Sequence, residues 1–326
     1  MYLSTANYFD DFVQVECKEL AGNSQETFLA FAEVLGWAVA LEPKKNRDFG
    51  EVFAALGVQF DLSTGPLGYV TVANKPERVR DLLRDLAVAE REGLTRSAAA
   101  TLRGRLSYAE GQVFGRCASA ALSVLGDGAA LARTVGTVTP ELRRALRWLR
   151  DFLLDAAPRV VWAVFPCAAK LVFTDGACEG DLVTCGAVLF DAEVERPEWF
   201  GLRVPAQVVE RWRAFGPNHV VAQAELVPVL LARLTWASRL AAAPAVYYID
   251  NEGVREALIT GSTRSLASRD LLIEVAAESV KLGGAPWYSR VPSPSNVADG
   301  PSRLAGIPDG PWLRAIQVEP ILPAWW

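Results

Sequence analysis

The sequence predicts a mixed α/β fold for its second half, because short apolar runs typical of strands alternate with patterns typical of helices. Residues 170–175 form an apolar run that ends on Asp175, and residues 245–250 form a second run that ends on Asp250. Helical patterns begin near Glu225 and cover residues 266–282. We therefore expect the strand-end aspartates and the carboxylates of flanking helices to converge on one point.

Four acidic residues are candidates for that point: Asp175, Glu225, Asp250 and Asp299. Converging carboxylates cannot all stay ionised unless cations neutralise them. Mg²⁺ prefers oxygen ligands, and two such ions can clamp the attacking and leaving oxygens of a phosphodiester. The pattern therefore predicts a two-metal site for phosphodiester cleavage. Taken alone, Glu225 also suits the first turn of a helix, and Asp250 also suits an N-cap.

Four motifs carry a resemblance to a known family. They are Phe-Thr-Asp-Gly at 173–176, Ala-Glu-Leu at 224–226, Ile-Asp-Asn at 249–251 and Asn-Val-Ala-Asp-Gly-Pro-Ser-Arg at 296–303. In this order they resemble the RNase H domain of retroelement reverse transcriptases, over roughly residues 168 to 306. The last motif is most similar to retroelements of the DIRS type, and long-terminal-repeat elements are close.

The resemblance implies an RNase H-like fold, which is a five-stranded mixed sheet with flanking helices. It implies that Asp175, Glu225, Asp250 and Asp299 are catalytic and hold two Mg²⁺ or Mn²⁺ ions. One ion between Asp175 and Asp250 would activate water, and the second would stabilise the leaving 3′ oxygen. The expected substrate is the RNA strand of an RNA–DNA hybrid. We expect Asn251 and Arg303 of this chain's motifs to contact the nucleic-acid backbone.

The remaining elements of this region follow from apolar runs and breakers. Because proline is tolerated only in the first turn of a helix, Pro228 predicts that the helix of Glu225 begins near Gln223 or Ala224. Residues 205–222 fit no clean period, so we expect a loop or a short irregular helix there. The first strand is expected to end at Asp175, and the others to cover 184–190, 199–204, 245–250 and 286–291. The tail from 307 to 326 could fold back onto a domain.

Residues 7–15 predict a strand, a tight turn and a second strand. Paired aspartates at such a tip usually form only a polar turn. Tyr-Phe-Asp-Asp at 8–11 nevertheless resembles the Tyr-X-Asp-Asp motif of the reverse transcriptase palm, which implies that Asp10 and Asp11 are metal ligands. Leu-Glu-Pro-Lys-Lys at 41–45 resembles the next palm motif and implies that Lys44 and Lys45 lie near nucleotide phosphates. The ordinary alternative is a solvated lysine pair on a loop. Residues 53–60 predict one apolar strand.

The palm of the family needs a further aspartate and the fingers, both upstream of Tyr-X-Asp-Asp. Seven residues precede Tyr8 in this sequence. A two-metal polymerase site cannot be built from Asp10 and Asp11 alone. We therefore expect this polypeptide not to polymerise by itself, and we expect the N-terminal fingers and palm of a reverse transcriptase as a possible partner.

Residues 75–156 predict helices, among them one that starts after Thr139 with leucines on one face and arginines around the other. The segment Leu-Arg-Gly-Arg-Leu at 102–106 and the pair Gly-Arg at 115–116 resemble the thumb of retroelement polymerases. The resemblance implies that Arg103, Arg105 and Arg116 contact nucleic acid. The alternative is an ordinary amphipathic bundle with solvated arginines.

The charge of the chain is unevenly distributed. Its formal net charge is −5, yet residues 75–150 hold fourteen Lys or Arg against eight Asp or Glu, a local charge of +6. A basic segment of this kind can neutralise phosphates although the whole chain is acidic. The charge therefore does not exclude a nucleic-acid enzyme.

Length and composition bound the remaining choices. The chain has 326 residues, of which 51% are hydrophobic, so two or three domains with buried cores are possible. There is no apolar run of about eighteen residues and no basic segment before an apolar N-terminal stretch, so neither a membrane span nor a secretion signal is expected. Five scattered cysteines favour reduced thiols in an intracellular compartment, the cytoplasm or the nucleus.

The expected organisation is the C-terminal part of a retroelement reverse transcriptase. A partial α+β palm would cover 1–62, a helical thumb and connection 63–158, the RNase H-like domain 159–306 and a Pro/Trp-rich tail 307–326. The expected function is metal-dependent endonucleolytic cleavage of the RNA strand of hybrids. The alternatives are a non-catalytic relic that only binds nucleic acid, and one half of a split reverse transcriptase.

Overall fold

The computed structural model describes residues 5–8, 11–42, 46, 48–131, 138–214, 219–283, 285–307 and 314–326. The chain divides into two compact units. One comprises Met1–Lys75 and Val160–Ala163, and the other comprises Pro76–Arg159 and Val164–Trp326.

The smaller unit begins with the predicted hairpin. Strands β1 (Thr5–Tyr8) and β2 (Asp11–Gln14) pair antiparallel, and helix α1 (Ala21–Val34) follows. A four-stranded sheet has the order β3 (Val52–Ala55), β4 (Val58–Asp61), β5 (Tyr69–Asn74) and β6 (Arg159–Trp162). The single strand expected over 53–60 is wrong. Leu56 and Gly57 both have positive φ, 47° and 79°, and form a two-residue hairpin turn that splits the run.

The larger unit begins with the predicted helices. They are α2 (Pro76–Glu92), α3 (Arg96–Val113), α4 (Ser119–Leu131) and α5 (Pro140–Asp155). The side chains of Thr95 and Thr139 accept backbone N–H bonds at the starts of α3 and α5, so the start predicted after Thr139 is confirmed. Leucines of all four helices are buried against one another, which makes this region a bundle with a core of its own.

The rest of the larger unit is built on a mixed sheet. Its strands are β7 (Lys170–Glu179), β8 (Leu182–Phe190), β9 (Glu198–Arg203), β10 (Pro244–Ile249), β11 (Ala285–Arg290) and β12 (Ile316–Gln317). Their order is β11-β10-β7-β8-β9-β12. Strands β7, β8 and β9 pair antiparallel, whereas β10 pairs parallel with both β7 and β11. The predicted mixed sheet is confirmed, and a short strand from the tail, parallel to β9, adds a sixth member.

Helices flank this sheet, as predicted. They are α6 (Ala206–Ala214), α7 (Val221–Thr235), α8 (Ala237–Leu240), α9 (Glu252–Thr260), α10 (Leu266–Leu282) and α11 (Asp299–Ser302). The apolar residues of α7 and α10 are buried with those of the central strands in one core. Helix α10 starts at an N-cap serine, Ser265, and ends at Gly283, which has positive φ, so its expected bounds are confirmed.

Two local expectations are wrong and one is right only in part. Strand β7 continues beyond Asp175 to Glu179, because β8 pairs with it over the whole length. Of the two alternatives for 205–222, the short helix is found, at residues 206–214, but it is regular and its apolar side chains are buried in the core. Helix α7 starts at Val221, so Pro228 lies inside it and not in its first turn.

Within the described ranges, every helix is too short or too polar to cross a membrane. All five cysteines are free.

Candidate metal centre

Strand β7 supplies Asp175, which is 5% exposed. In the ladder Asp175 lies opposite Gly186, and Gly186 lies opposite Gly201. A side chain at either glycine would collide with Pro301, which is part of α11, at 2.7 Å or less. The two glycines therefore let α11 lie directly on the sheet beside Asp175.

Helix α7 supplies Glu225, which is 7% exposed. The position of α7 depends on Gly176, because a Cβ there would lie 2.2 Å from the Ala224 carbonyl oxygen and 2.7 Å from the Glu225 backbone nitrogen. Pro228 lacks the N–H that the Ala224 carbonyl would accept in a regular helix. The proline thus leaves this carbonyl without its helical donor, and the glycine makes room for it against the strand.

Strand β10 ends at Ile249, and Asp250 follows immediately. The N-cap of α9 is Asn251, whose Oδ1 accepts the backbone N–H of Val254 at 3.2 Å. Asp250 is therefore not the cap, and its carboxylate is not used to cap the helix.

These three carboxylates converge. Asp175, Glu225 and Asp250 each offer an oxygen, and the three oxygens lie within 4.8 Å of one another. Glu225 Oε2 and Asp250 Oδ1 are buried without a hydrogen-bond partner. Buried acceptors are rarely left unpaired, and hard carboxylate oxygens are the ligands that Mg²⁺ and Mn²⁺ prefer. The residues present therefore fit a divalent metal ion.

Burial and mutual repulsion act on the protonation of the cluster. Burial, together with the charges of Asp175 and Asp250, raises the pKa of Glu225 to about 8, and hydrogen bonds from Asn251 and Gly176 offset this only in part. Burial, together with the charges of Asp250 and Asp299, raises the pKa of Asp175 to about 6. A bound cation would reverse both effects, because it favours the ionised forms.

Asp299 lies apart from these three. It opens α11, its side chain is 52% exposed, and its Oδ1 accepts a hydrogen bond from Arg303 Nε at 3.0 Å. The same turn nevertheless touches the cluster, since the hydroxyl of Ser302 donates to Asp175 and lies 2.9 Å from the Asp299 carbonyl oxygen. Asp299 is thus near the cluster but tied to an arginine.

The structure places the expected nucleic-acid contacts as follows. Asn251 caps α9 and bonds Glu225, and Arg303 pairs with Asp299 and Glu179. In the bundle, Arg105 pairs with Asp85, whereas Arg103 and Arg116 are exposed. Asp10, Lys44 and Lys45 lie outside the described residues, and only the backbone of Asp11, in β2, is described.

Sequence reasoning missed several residues that shape the site. Gly176 lies in the motif at 173–176, and Gly186 and Gly201 lie in predicted strands, where a glycine often marks the close approach of another backbone. Ser302 lies in the motif at 296–303, which gave it no role, and Glu179 lies in none of the four motifs. Cys178 is half-buried, and burial, followed by the charge of Glu225, raises the pKa of its thiol.

Comparison with models of known protein families gives no match, and comparison with curated proteins gives none. Among solved structures, RNase H1 from the halophilic archaeon Halobacterium salinarum is 18% identical, with a TM-score of 0.32 over 42% of this chain and 97% of that chain. The N-terminal RNase H domain of a Mycobacterium tuberculosis protein is 21% identical, with a TM-score of 0.32 over 42% and 92%. A foamy viral protease-reverse transcriptase, in complex with double-stranded DNA, is 12% identical, with a TM-score of 0.39 over 87% and 46%.

Proposed function

We propose that this protein is a metal-dependent nuclease of the RNase H type that hydrolyses the RNA strand of RNA–DNA hybrids. The observation that carries the proposal is the convergence of Asp175, Glu225 and Asp250, with two buried carboxylate oxygens that lack partners. The four motifs of the second half of the chain, in their order, point to the same chemistry.

In this proposal Asp175 and Asp250 hold the metal ions from neighbouring strands, and Glu225 and Asp299 complete the ligand set. Divalent ions bound there would supply Lewis-acid activation of the phosphodiester and of water. Gly176 sets the distance of Glu225 from Asp175, and Asn251 orients Glu225 by hydrogen bonding. Ser302 fixes the rotamer of Asp175 through its hydroxyl.

We further propose that the chain derives from a retroelement reverse transcriptase. Residues 1–62 would correspond to part of a palm, 63–158 to a thumb and connection, and 159–306 to the nuclease domain, with 307–326 as a tail. The order of motifs supports this origin. Arg103, Arg105 and Arg116 would contact the phosphates of a bound duplex from the basic bundle.

The test is cleavage of a hybrid labelled on its RNA strand, in Mg²⁺ and in Mn²⁺, by the parent protein and by Asp250→Asn. We expect the parent to cut the RNA strand and the variant not to cut. The same RNA alone and the same sequence as duplex DNA should stay intact.

The competing function is binding without turnover, which the local charge of +6 over residues 75–150 would support. Binding of the uncut hybrid, followed by gel shift, separates the two. If neither protein cuts while the parent still binds the hybrid, the chain is a nucleic-acid-binding relic.

A further inference from the structure

The arginine at the rim of the metal centre has two acidic partners. Arg303 Nε lies 3.0 Å from Asp299 Oδ1, and Arg303 Nη1 lies 3.3 Å from Glu179 Oε1. The side chains of Arg303 and Asp299 are each 52% exposed, and that of Glu179 is 69% exposed. Pairs this exposed rearrange at small free-energy cost.

Arg303 contacts a carboxylate that the proposed metal site would use. Asp299 is the carboxylate that the proposed function needs for a complete ligand set, and its Oδ1 is the atom that Arg303 contacts. Ser302, between them in sequence, donates to Asp175, so the turn that holds Arg303 also contacts the cluster. A guanidinium and a divalent ion that both contact the Asp299 carboxylate repel each other, so each weakens the binding of the other.

Glu179 offers the arginine a second position. It is the last residue of β7, four residues beyond Asp175, and it is not one of the three converging carboxylates. When an ion takes Asp299, Arg303 keeps its bond to Glu179 and need not be left without a partner.

We propose that Arg303 is an internal counter-ion that competes with a divalent metal ion for Asp299, and that Glu179 retains the arginine when the ion binds. This inference rests on the proposed function, since it assumes an ion at the centre. It assigns Arg303 a role toward the metal, and Glu179 the role of a positioning residue.

The inference predicts the sign of a change in metal affinity. Arg303→Gln removes the competing charge, so the weaker of the bound Mn²⁺ ions should bind about two- to fivefold more tightly, the range expected of an exposed ion pair. Arg303→Lys keeps the charge and should keep the parent affinity. Glu179→Gln leaves Asp299 as the remaining partner of Arg303 and should weaken Mn²⁺ binding by a similar factor.

The measurement is titration of each full-length variant with Mn²⁺, with free Mn²⁺ followed by electron paramagnetic resonance. Asp181→Asn is the matched control, because Asp181 lies two residues from Glu179, is 93% exposed and pairs with Arg213 instead. It should leave the affinity unchanged. Thermal unfolding in EDTA checks that each variant is folded.

An arginine that merely held Asp299 in place would give the opposite sign, with weaker binding in Arg303→Gln. Weaker or unchanged Mn²⁺ affinity in that variant would overturn the inference. If the parent binds Mn²⁺ but cuts no hybrid, the proposed function fails while the competition is still decided by the titration. If the parent binds no Mn²⁺ at all, both are overturned.

Discussion

Strand β7 contributes to two groups of buried charged side chains, one in which opposite charges pair and one in which like charges converge. At its start, Lys170 bonds Asp191 at 2.7 Å and Glu193 at 2.8 Å, and Arg239 bonds Asp191 from its other side at 3.0 Å. Five residues on, Asp175 lies beside Glu225 and Asp250, and one oxygen of each lies within 4.8 Å of the others.

The difference separates a group whose charges are paired within the protein from a group whose charges are not. The side chains of Lys170 and Asp191 are each 3% exposed, so their charges are neutralised by one another inside the protein. The carboxylates at the other position leave two buried oxygens without partners. A group of like charges left unpaired favours the binding of a proton or a cation, and the proposed function assigns divalent cations to it.

The largest expected contrast is in activity. Asp175→Asn should reduce cleavage of the RNA strand by at least about 100-fold, because a ligand of the proposed metal site is lost. The same substitution should not lower the stability of the protein in EDTA, because it relieves repulsion. Rates on labelled hybrid and urea unfolding in EDTA measure the two effects.

The control for that contrast is Asp191→Asn at the start of the strand. It should destabilise the protein, since Lys170 and Arg239 lose a buried partner. If Asp175→Asn destabilised the metal-free protein as much as Asp191→Asn, the distinction between the two groups would be wrong.

The next effect is on stability alone. Lys170→Met should lower the free energy of unfolding by about 3 kcal/mol, the lower end for a broken buried pair, because Arg239 still faces Asp191. Urea unfolding measures it. Lys281→Met is the matched surface change, in a pair whose lysine is 70% exposed, and should cost less than about 1 kcal/mol.

A smaller effect is expected where helix α7 approaches the strand. Gly176→Ala should cost about 2 kcal/mol, because the added methyl meets the backbone of Ala224, which cannot rotate away. It should also weaken Mn²⁺ binding, since Glu225 moves with the helix. Gly104→Ala in α3, where a methyl meets nothing within 4 Å, should be neutral or slightly stabilising. Equal losses in both variants would contradict the role given to Gly176.

The last expected effect is on the pH dependence of stability. The pKa of Glu225 is raised from 4.5 to about 8, so the folded state holds this proton more tightly than the unfolded chain. Its contribution to stability is therefore complete below pH 4.5 and is lost as the pH rises through 8. We expect the parent in EDTA to lose stability relative to Glu225→Gln across this window. Mg²⁺ should remove the difference in slope by keeping Glu225 ionised. If the free energies of unfolding of the parent and of Glu225→Gln changed in parallel with pH in EDTA, the raised pKa of Glu225 would be contradicted.

Much of the architecture could be predicted from the sequence because the signals are local. Thr139 before Pro140 starts α5, and Gly283 ends α10, through hydrogen bonds and φ angles of the residues themselves. The apolar runs that end at Asp175 and Asp250 are strands for the same reason.

The errors arise where the bounds of an element depend on contacts with residues that are distant in sequence. The first strand was expected to end at Asp175, yet its length is set by pairing with β8, which a run of β7 residues does not reveal. The rule for Pro228 predicted a later helix start, and it fails because Gly176 accommodates the carbonyl that the proline frees. The ion pair of Arg303 with Asp299 joins residues four apart in sequence, but the second partner of Arg303, Glu179, is distant in sequence and could not be predicted.

The close approach at Gly176 has a consequence for how this protein evolves. Pro228 shapes one surface of the contact and Gly176 the other, so the residues tolerated at position 176 depend on the residue at position 228. A lineage that replaces the proline restores a regular helix and relaxes the demand for glycine on the strand. A lineage that first gains a side chain at position 176 displaces Glu225. The order in which such substitutions accumulate should therefore be constrained, with changes at 228 preceding changes at 176.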